Sequence, residues 1–114
     1  MEYLIHTRSH NGYKLESYSL KVDGEPVIIP KFERVDLFAF LDDIGFGEYW
    51  NISEKITGRS MVSPNDLCET KEEAIKLVTK ILNNKGLGIM LKAIDYHEKV
   101  KDLPERTNVN SDVQ

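Results

Sequence analysis

The sequence predicts an α+β fold: an antiparallel sheet of about five strands, built from two hairpin units, with one long amphipathic helix on one face and a second, C-terminal helix. Alternation of apolar and polar side chains across residues 13–22 and 48–63 predicts strands. Apolar side chains at helical spacing across 71–84, and again from Leu87 onward, predict the two helices.

The first hairpin unit is predicted in the N-terminal third of the chain. Residues 3–9 and 13–22 form its strands. Between them stands Asn11-Gly12, a pair that favours a two-residue turn because both residues tolerate a positive φ.

A third strand, residues 27–29, is predicted to extend this hairpin into a meander after a turn at Asp23-Gly24. It lies between Pro26 and Pro30. Since proline lacks the N–H that an inner strand donates, this strand is predicted at the edge of the sheet.

A short helix is predicted next, with Asp36 as its N-cap and Gly45 just beyond its C-terminus. Leu37, Phe40 and Ile44 recur at helical spacing between these two residues. The second hairpin unit is predicted after this helix, from the alternation of apolar and polar side chains.

That second hairpin spans residues 48–63 and turns at Thr57-Gly58. Trp50 and Ile52 share its apolar face, and the size of Trp50 predicts that its ring is part of the core.

The long helix is predicted over Lys71–Asn84 with a capping box, in which the Thr70 hydroxyl accepts the Glu73 N–H and the Glu73 side chain returns a bond. A second helix is predicted to reach about Val100. The apolar stripe of the long helix consists of Ala74, Ile75, Leu77, Val78, Ile81 and Leu82.

Length and composition predict one domain over residues 1–103 and a polar, disordered tail over 104–114. No apolar run approaches the roughly 20 residues that span a bilayer, and the N-terminus lacks the pattern of a signal peptide. Cys68 is the only cysteine, which excludes an internal disulfide. These features predict a cytoplasmic protein without a membrane partner.

The most informative segment combines acidic and aromatic residues. Five of the ten aromatic residues fall between Phe38 and Trp50. Six carboxylates and a single cation, Arg34, give the window from Glu33 to Glu54 a net charge of −5, against −4 for the whole chain. Such a segment forms either a local aromatic core with a charged rim or a surface for a basic partner.

The interface interpretation predicts a surface that binds the basic face of a protein partner. The candidate partners are a nucleic-acid-handling enzyme and a second copy of the chain. Carboxylates would steer the encounter, and aromatic rings would anchor the complex. The predicted surface consists of Asp36, Phe38, Asp42, Asp43, Phe46, Glu48 and Tyr49.

Two alternatives remain open at this point. A small enzyme or ligand-binding domain would use Cys68, just before a helix start, or a histidine. His6 and His10 would lie about 13 Å apart along a strand, too far to share a metal ion, and no metal or cofactor is predicted.

The other alternative is a nucleic-acid-binding accessory protein, although the acidic pI of about 5.4 argues against phosphate binding. Its binding face would be a stripe of helix lysines: Lys76, Lys80, Lys85 and Lys92.

The segment from Trp50 to Arg59, followed by Thr70-Lys71-Glu72-Glu73-Ala74-Ile75, resembles small accessory proteins of phages and mobile elements. The resemblance covers about a third of the chain. It implies a compact inhibitor of a host defence enzyme, of the kind represented by acidic anti-CRISPR proteins, acting in the bacterial cytoplasm. It assigns no role to any individual residue.

Overall fold

In the computed structural model, residues 1–43, 45 and 47–106 are described, and this part of the chain forms six strands and two α-helices. The strands are β1 (Glu2–Asn11), β2 (Lys14–Asp23), β3 (Glu25–Val27), β4 (Leu37–Asp43), β5 (Glu48–Glu54) and β6 (Glu105–Arg106). The helices are α1 (Lys71–Lys85) and α2 (Leu87–Tyr96), followed by a 3₁₀ turn (Val100–Asp102). The α+β class is confirmed, but the single sheet of about five strands is wrong, because the strands form two sheets of three.

The first sheet has the order β1-β2-β6 and contains the predicted first hairpin. Asn11 pairs with Lys14, so the loop residues are Gly12 and Tyr13 rather than Asn11 and Gly12. Gly12 has a φ of 67°, the positive value that the first position of a two-residue turn requires. The turn prediction was therefore displaced by one residue.

The predicted meander is wrong, because β3 pairs with β4 instead of β2. Gly24 carries the chain from one sheet to the other, and a Cβ there would lie 2.7 Å from the Ala39 carbonyl oxygen. The edge position is confirmed, since the second sheet has the order β3-β4-β5. The strand ends at Val27, so Ile28 and Ile29 lie outside it.

The short helix predicted after Asp36 is wrong, because this segment is strand β4. Every side chain from Leu37 to Phe40 is buried, which is the pattern of a strand covered on both faces. Such an apolar run also satisfies helical spacing, so periodicity could not separate the two structures. Gly45, with a φ of 96°, lies in the β4–β5 connection instead of ending a helix.

The second hairpin is formed by β4 and β5, not by the two halves of 48–63. The chain does turn at Thr57-Gly58, where the Gly58 N–H donates to the Glu54 carbonyl at 2.8 Å. Beyond this turn, isolated bridges join the chain to β5 at two places, Ser60 to Ser53 and Cys68 to Trp50.

The helix predictions are closer to the structure. At the start of α1 the Glu73 N–H donates to the Thr70 hydroxyl oxygen at 3.1 Å, as a capping box predicts. The Thr70 hydroxyl lies 3.3 Å from the Glu73 carboxylate, which takes the place of the predicted return bond to the backbone. Helix α2 ends at Tyr96, short of the predicted end near Val100, which belongs to the 3₁₀ turn.

The second sheet is the middle layer of the molecule. On one face Leu37, Ala39 and Ile52 pack with the buried residues of α1 and α2. On the other face Phe38 and Phe40 pack against Tyr3 of the first hairpin. Helices, second sheet and first hairpin therefore form three layers around two apolar clusters.

Part of the segment predicted to be a disordered tail, Glu105–Arg106, forms β6 beside β2, with Arg106 4.2 Å from the Tyr18 ring. The remainder, 107–114, lies outside the described residues. Within the described part of the chain, no helix has the length and apolar character needed to cross a membrane.

Candidate functional site

The structure does not bring all residues of the predicted acidic and aromatic surface together. Asp36 is exposed and lies just before β4, at the opposite end of that strand from Asp42 and Asp43. It therefore does not join the other carboxylates. Phe46 lies outside the described residues, so its place in the predicted surface is still a prediction.

Phe38 is removed from the predicted surface by its burial. Its ring has no exposed area and stacks on Tyr3, with the ring centroids 4.1 Å apart and the planes 3° apart. The strand places this side chain on the face that packs against the first hairpin, whereas the predicted helix would have turned it outward. A ring in this position stabilises the fold and does not reach a partner.

The remaining four residues of the predicted surface lie together at one end of the β4–β5 hairpin. Asp42 pairs with Tyr49 across the strands, and Asp43 pairs with Glu48. Asp43 and Glu48 are exposed, while Asp42 and Tyr49 are half-buried. The structure thus brings three carboxylates and one aromatic ring to the same end of the hairpin.

A groove of about 450 Å³ runs along the outer edge of β5 and includes part of this hairpin end. Two backbone hydrogen bonds define its length, from Met61 N–H to the Ile52 carbonyl (2.7 Å) and from Trp50 N–H to the Cys68 carbonyl (2.8 Å). Between these points the loop 62–67 leaves the strand edge. This β5 groove is lined by Asp42, Tyr49, Trp50, Asn51, Ser60, Val62, Ser63, Pro64, Asp66 and Leu67.

Side-chain hydrogen bonds connect three of the residues that line the β5 groove. The Ser60 hydroxyl donates to the Asn51 side-chain oxygen at 2.6 Å. The Asn51 amide in turn lies 3.4 Å from the Asp42 carboxylate. These two contacts position the Asp42 carboxylate from one side, within a groove whose exposed lining is mostly apolar.

The lining of the β5 groove is acidic and aromatic. It contains the carboxylates of Asp42 and Asp66 and the rings of Tyr49 and Trp50, and none of its described lining residues is lysine or arginine. Neither carboxylate forms an ion pair within the described part of the chain. Carboxylates beside aromatic rings attract cationic groups, by direct charge interaction and by contact with the ring faces.

Part of this groove was not predicted from the sequence. Nothing in the residues of the loop 62–67 indicated that it folds beside β5. Trp50 was predicted to be core, and it does pack against the helix-side cluster, but its half-buried ring also lines the groove. The signal that could have indicated this position of Trp50 is the polar residue Asn51 next to it, since an aromatic residue beside a polar one suits the edge of a sheet.

Cys68, the candidate nucleophile, is buried. Burial raises the pKa of its thiol, and the nearby carboxylates of Glu73 and Asp66 raise it further. Both effects favour the protonated thiol over the nucleophilic thiolate at neutral pH. No group of three or more histidine, cysteine or acidic side chains is arranged to hold a metal ion within residues 1–43, 45 and 47–106.

The candidate lysine face is exposed on the two helices. Lys76, Lys80 and Lys85 lie on α1 and Lys92 on α2, all with exposed side chains. Lys76 and Lys80 border a hollow that also contains Asp66 and Glu73, so the charge there is mixed. A mixed surface attracts nucleic acid weakly.

Comparison with protein-family models, with curated proteins and with solved structures finds no match for this chain. The β5 groove is the site with the clearest chemical character.

Proposed function

We propose that this protein is a non-catalytic protein-binding module that engages the basic surface of a partner through the β5 groove. The partner we propose is a nucleic-acid-handling enzyme of a bacterial host, and the role is that of a phage or mobile-element inhibitor acting in the host cytoplasm. The observation that carries the proposal is the groove itself, whose lining includes the carboxylates of Asp42 and Asp66 and the rings of Tyr49 and Trp50.

The exposure of the surrounding residues supports binding by a partner. Leu67 lines the groove and is 43% exposed, and Leu41, which precedes Asp42 in β4, is 48% exposed. Apolar side chains beside half-buried aromatic rings are typical of interface anchors, and carboxylates around them raise the rate of encounter with a basic surface. Asp43 and Glu48 extend the negative charge beyond the groove.

The choice of partner follows from the sign of the charge. Enzymes that handle nucleic acids present lysine and arginine to phosphates. An acidic surface with exposed apolar anchors competes for those cations. Binding of this kind weakens as salt concentration rises, because the attraction between the two surfaces is screened.

The test is capture of a partner by the tagged protein from bacterial lysate at low salt, with and without nuclease, followed by measurement of the affinity for the purified partner. We expect Asp42→Lys/Asp66→Lys to abolish a nuclease-resistant complex. Asp95→Lys/Asp102→Lys is the matched control, because it makes the same change in net charge at exposed residues outside the groove.

We also expect the affinity to fall at least tenfold between about 50 mM and about 300 mM salt. Equal affinity of the groove variant and the wild type would show that the β5 groove is not the interface. A partner lost on nuclease treatment would instead favour the lysine face.

A further inference from the structure

A second hollow, of about 160 Å³, lies between the segment after β5 and the side of α2. Three basic side chains line it, those of Arg59, Lys85 and His97. Its apolar wall includes Met90 and Ile94 of α2. We refer to this feature as the Arg59 hollow.

Arg59 has an unusual hydrogen-bond state. Its backbone is fixed, because its N–H lies 3.3 Å from the Thr57 hydroxyl and its carbonyl accepts the Glu54 N–H at 3.0 Å. Its side-chain Nε, however, is buried and has no hydrogen-bond partner in the described structure, and its guanidinium forms no ion pair there. A buried donor left without an acceptor destabilises the folded state, and more so when it is charged.

Glu54 is the one carboxylate among the described residues that line the hollow. It is 2% exposed, and its oxygens accept hydrogen bonds from the Ile56 N–H (2.8 Å), the Thr57 N–H (2.9 Å) and the Thr57 hydroxyl (2.8 Å). These three donors hold the carboxylate toward the turn at 56–57. Glu54 therefore stabilises the turn through these hydrogen bonds and is not an acceptor for the Nε of Arg59.

A second unpaired nitrogen is close to the same group of cations. The Nε2 atom of His6 on β1 is buried without a hydrogen-bond partner in the described structure. Arg59 and His97 both interact electrostatically with His6, as does Arg8, and Glu98 opposes them. The positive charges of Arg59, Arg8 and His97 thus act on this nitrogen, although His6 itself does not line the hollow.

We propose that the Arg59 hollow binds a small oxyanion, a phosphoryl or carboxylate group, with Arg59 as its main donor and Lys85 and His97 beside it. The guanidinium presents a planar set of donors that matches such an anion, and a lysine adds charge. A volume of 160 Å³ holds about five water molecules at roughly 30 Å³ each. This size suits a phosphate or a short carboxylate. The hollow shares Ser60 with the β5 groove, but none of its three basic residues lines that groove.

The experiment is an NMR titration of the whole protein with inorganic phosphate at constant ionic strength, repeated with acetate. The readout is the Nε–Hε resonance of Arg59, because the side chain of this residue lines the hollow. We expect a saturable shift with a Kd of about 1 mM or below. Saturation by phosphate alone would identify a phosphoryl site, and saturation by both anions would identify a general oxyanion site that also accepts carboxylates.

Two variants and one control test the assignment. We expect Arg59→Gln to weaken binding at least about tenfold, because it removes the charged donor. Lys85 is exposed, so Lys85→Gln should leave the fold intact and weaken binding about threefold or more through lost charge. Arg34→Gln is the matched control, since Arg34 is exposed and does not line the hollow.

The proposal is overturned if the Arg59 resonance does not saturate with either anion. It is also overturned if Arg34→Gln weakens binding as much as Lys85→Gln does. Should Arg59→Gln fail to fold, the wild-type Arg59 resonance and the Lys85→Gln variant decide the result. None of these measurements depends on the partner proposed for the β5 groove.

Discussion

The role of Phe38 in the structure differs from the role predicted from the sequence. In the acidic segment it was expected to anchor a partner, yet it is fully buried between β4 and the first hairpin. A buried aromatic ring contributes to stability through its area and its stacking on Tyr3. Its replacement should therefore affect folding.

We expect Phe38→Ala to lower the free energy of unfolding by about 3–5 kcal/mol, because it removes the ring and leaves a cavity. Leu41→Ala on the same strand is the control, and since Leu41 is 48% exposed it should cost less than about 1.5 kcal/mol. Urea unfolding followed by circular dichroism measures both. Similar losses for the two variants would contradict the burial of Phe38.

His6 makes stability depend on pH. Burial lowers the pKa of its imidazole below the usual 6.5, and the positive charges of Arg59 and Arg8 lower it further, while Glu98 raises it. The folded chain therefore binds this proton less tightly than the unfolded chain. Between about pH 6.5 and the lowered pKa, unfolding takes up a proton, so the free energy of unfolding falls as the pH drops through this range and levels off below it.

We expect the difference in stability between about pH 7.5 and about pH 5 to be smaller in His6→Gln than in the wild type, because the variant lacks this proton uptake. Urea denaturation in buffers without phosphate measures the difference. An unchanged or larger pH dependence in His6→Gln would be inconsistent with a lowered pKa.

At the scale of elements, the turn after β5 joins three parts of the fold. Gly58 has a φ of 68°, and its carbonyl accepts the His6 N–H of β1 at 2.9 Å. A Cβ at this position would lie 2.7 Å from Val100 Cγ2 and 2.8 Å from the His6 nitrogen. The turn therefore needs glycine for its backbone conformation and also for the close approach of β1 and the 3₁₀ turn.

Gly12 offers a matched control, because its φ of 67° is nearly the same and no atom lies within 4 Å of a Cβ built there. We expect Gly12→Ala to cost about 1–2 kcal/mol, the cost of a left-handed conformation alone. Gly58→Ala should cost about 1–3 kcal/mol more, because its Cβ also overlaps packed atoms. Equal losses in thermal or urea unfolding would mean that the contacts around Gly58 are looser than described.

Strand β4 is the element for which local sequence was most misleading. Asp36 and Gly45 resemble helix boundaries, and the apolar residues between them fit helical spacing. The segment is nevertheless a central strand, because β3 and β5 pair with both of its edges and apolar layers cover both of its faces. Contacts from residues distant in the chain decide its structure.

At the scale of the whole molecule, the middle sheet couples the helices to the first hairpin. The helix-side cluster includes Leu37, Ala39 and Ile52, and the hairpin-side cluster includes Phe38 and Phe40. Neighbouring residues of β4 thus belong to opposite clusters. Loss of either cluster disturbs the same strand, so the three layers should unfold together as one domain.

We expect unfolding in urea to give coincident transitions by far-ultraviolet circular dichroism and by the fluorescence of Trp50, the single tryptophan. The first probe reports all strands and helices, and the second reports the helix-side cluster and the β5 groove. A separate early transition seen only by circular dichroism would show that the first hairpin is an independent unit.

The sequence by itself determined the elements whose signals are local. The capping box located the start of α1, glycine and alternation located the first hairpin, and two prolines predicted that β3 lies at an edge. Each of these depends on backbone conformations and hydrogen bonds within a few residues.

Only the tertiary structure decided the rest. Sheet membership of β3, the strand conformation of β4 and the position of the loop 62–67 beside β5 depend on contacts between residues far apart in the chain. The β5 groove and the Arg59 hollow exist only once those contacts form. The sequence of these residues therefore suggests a binding function, but the sites that could perform it form only when the chain packs.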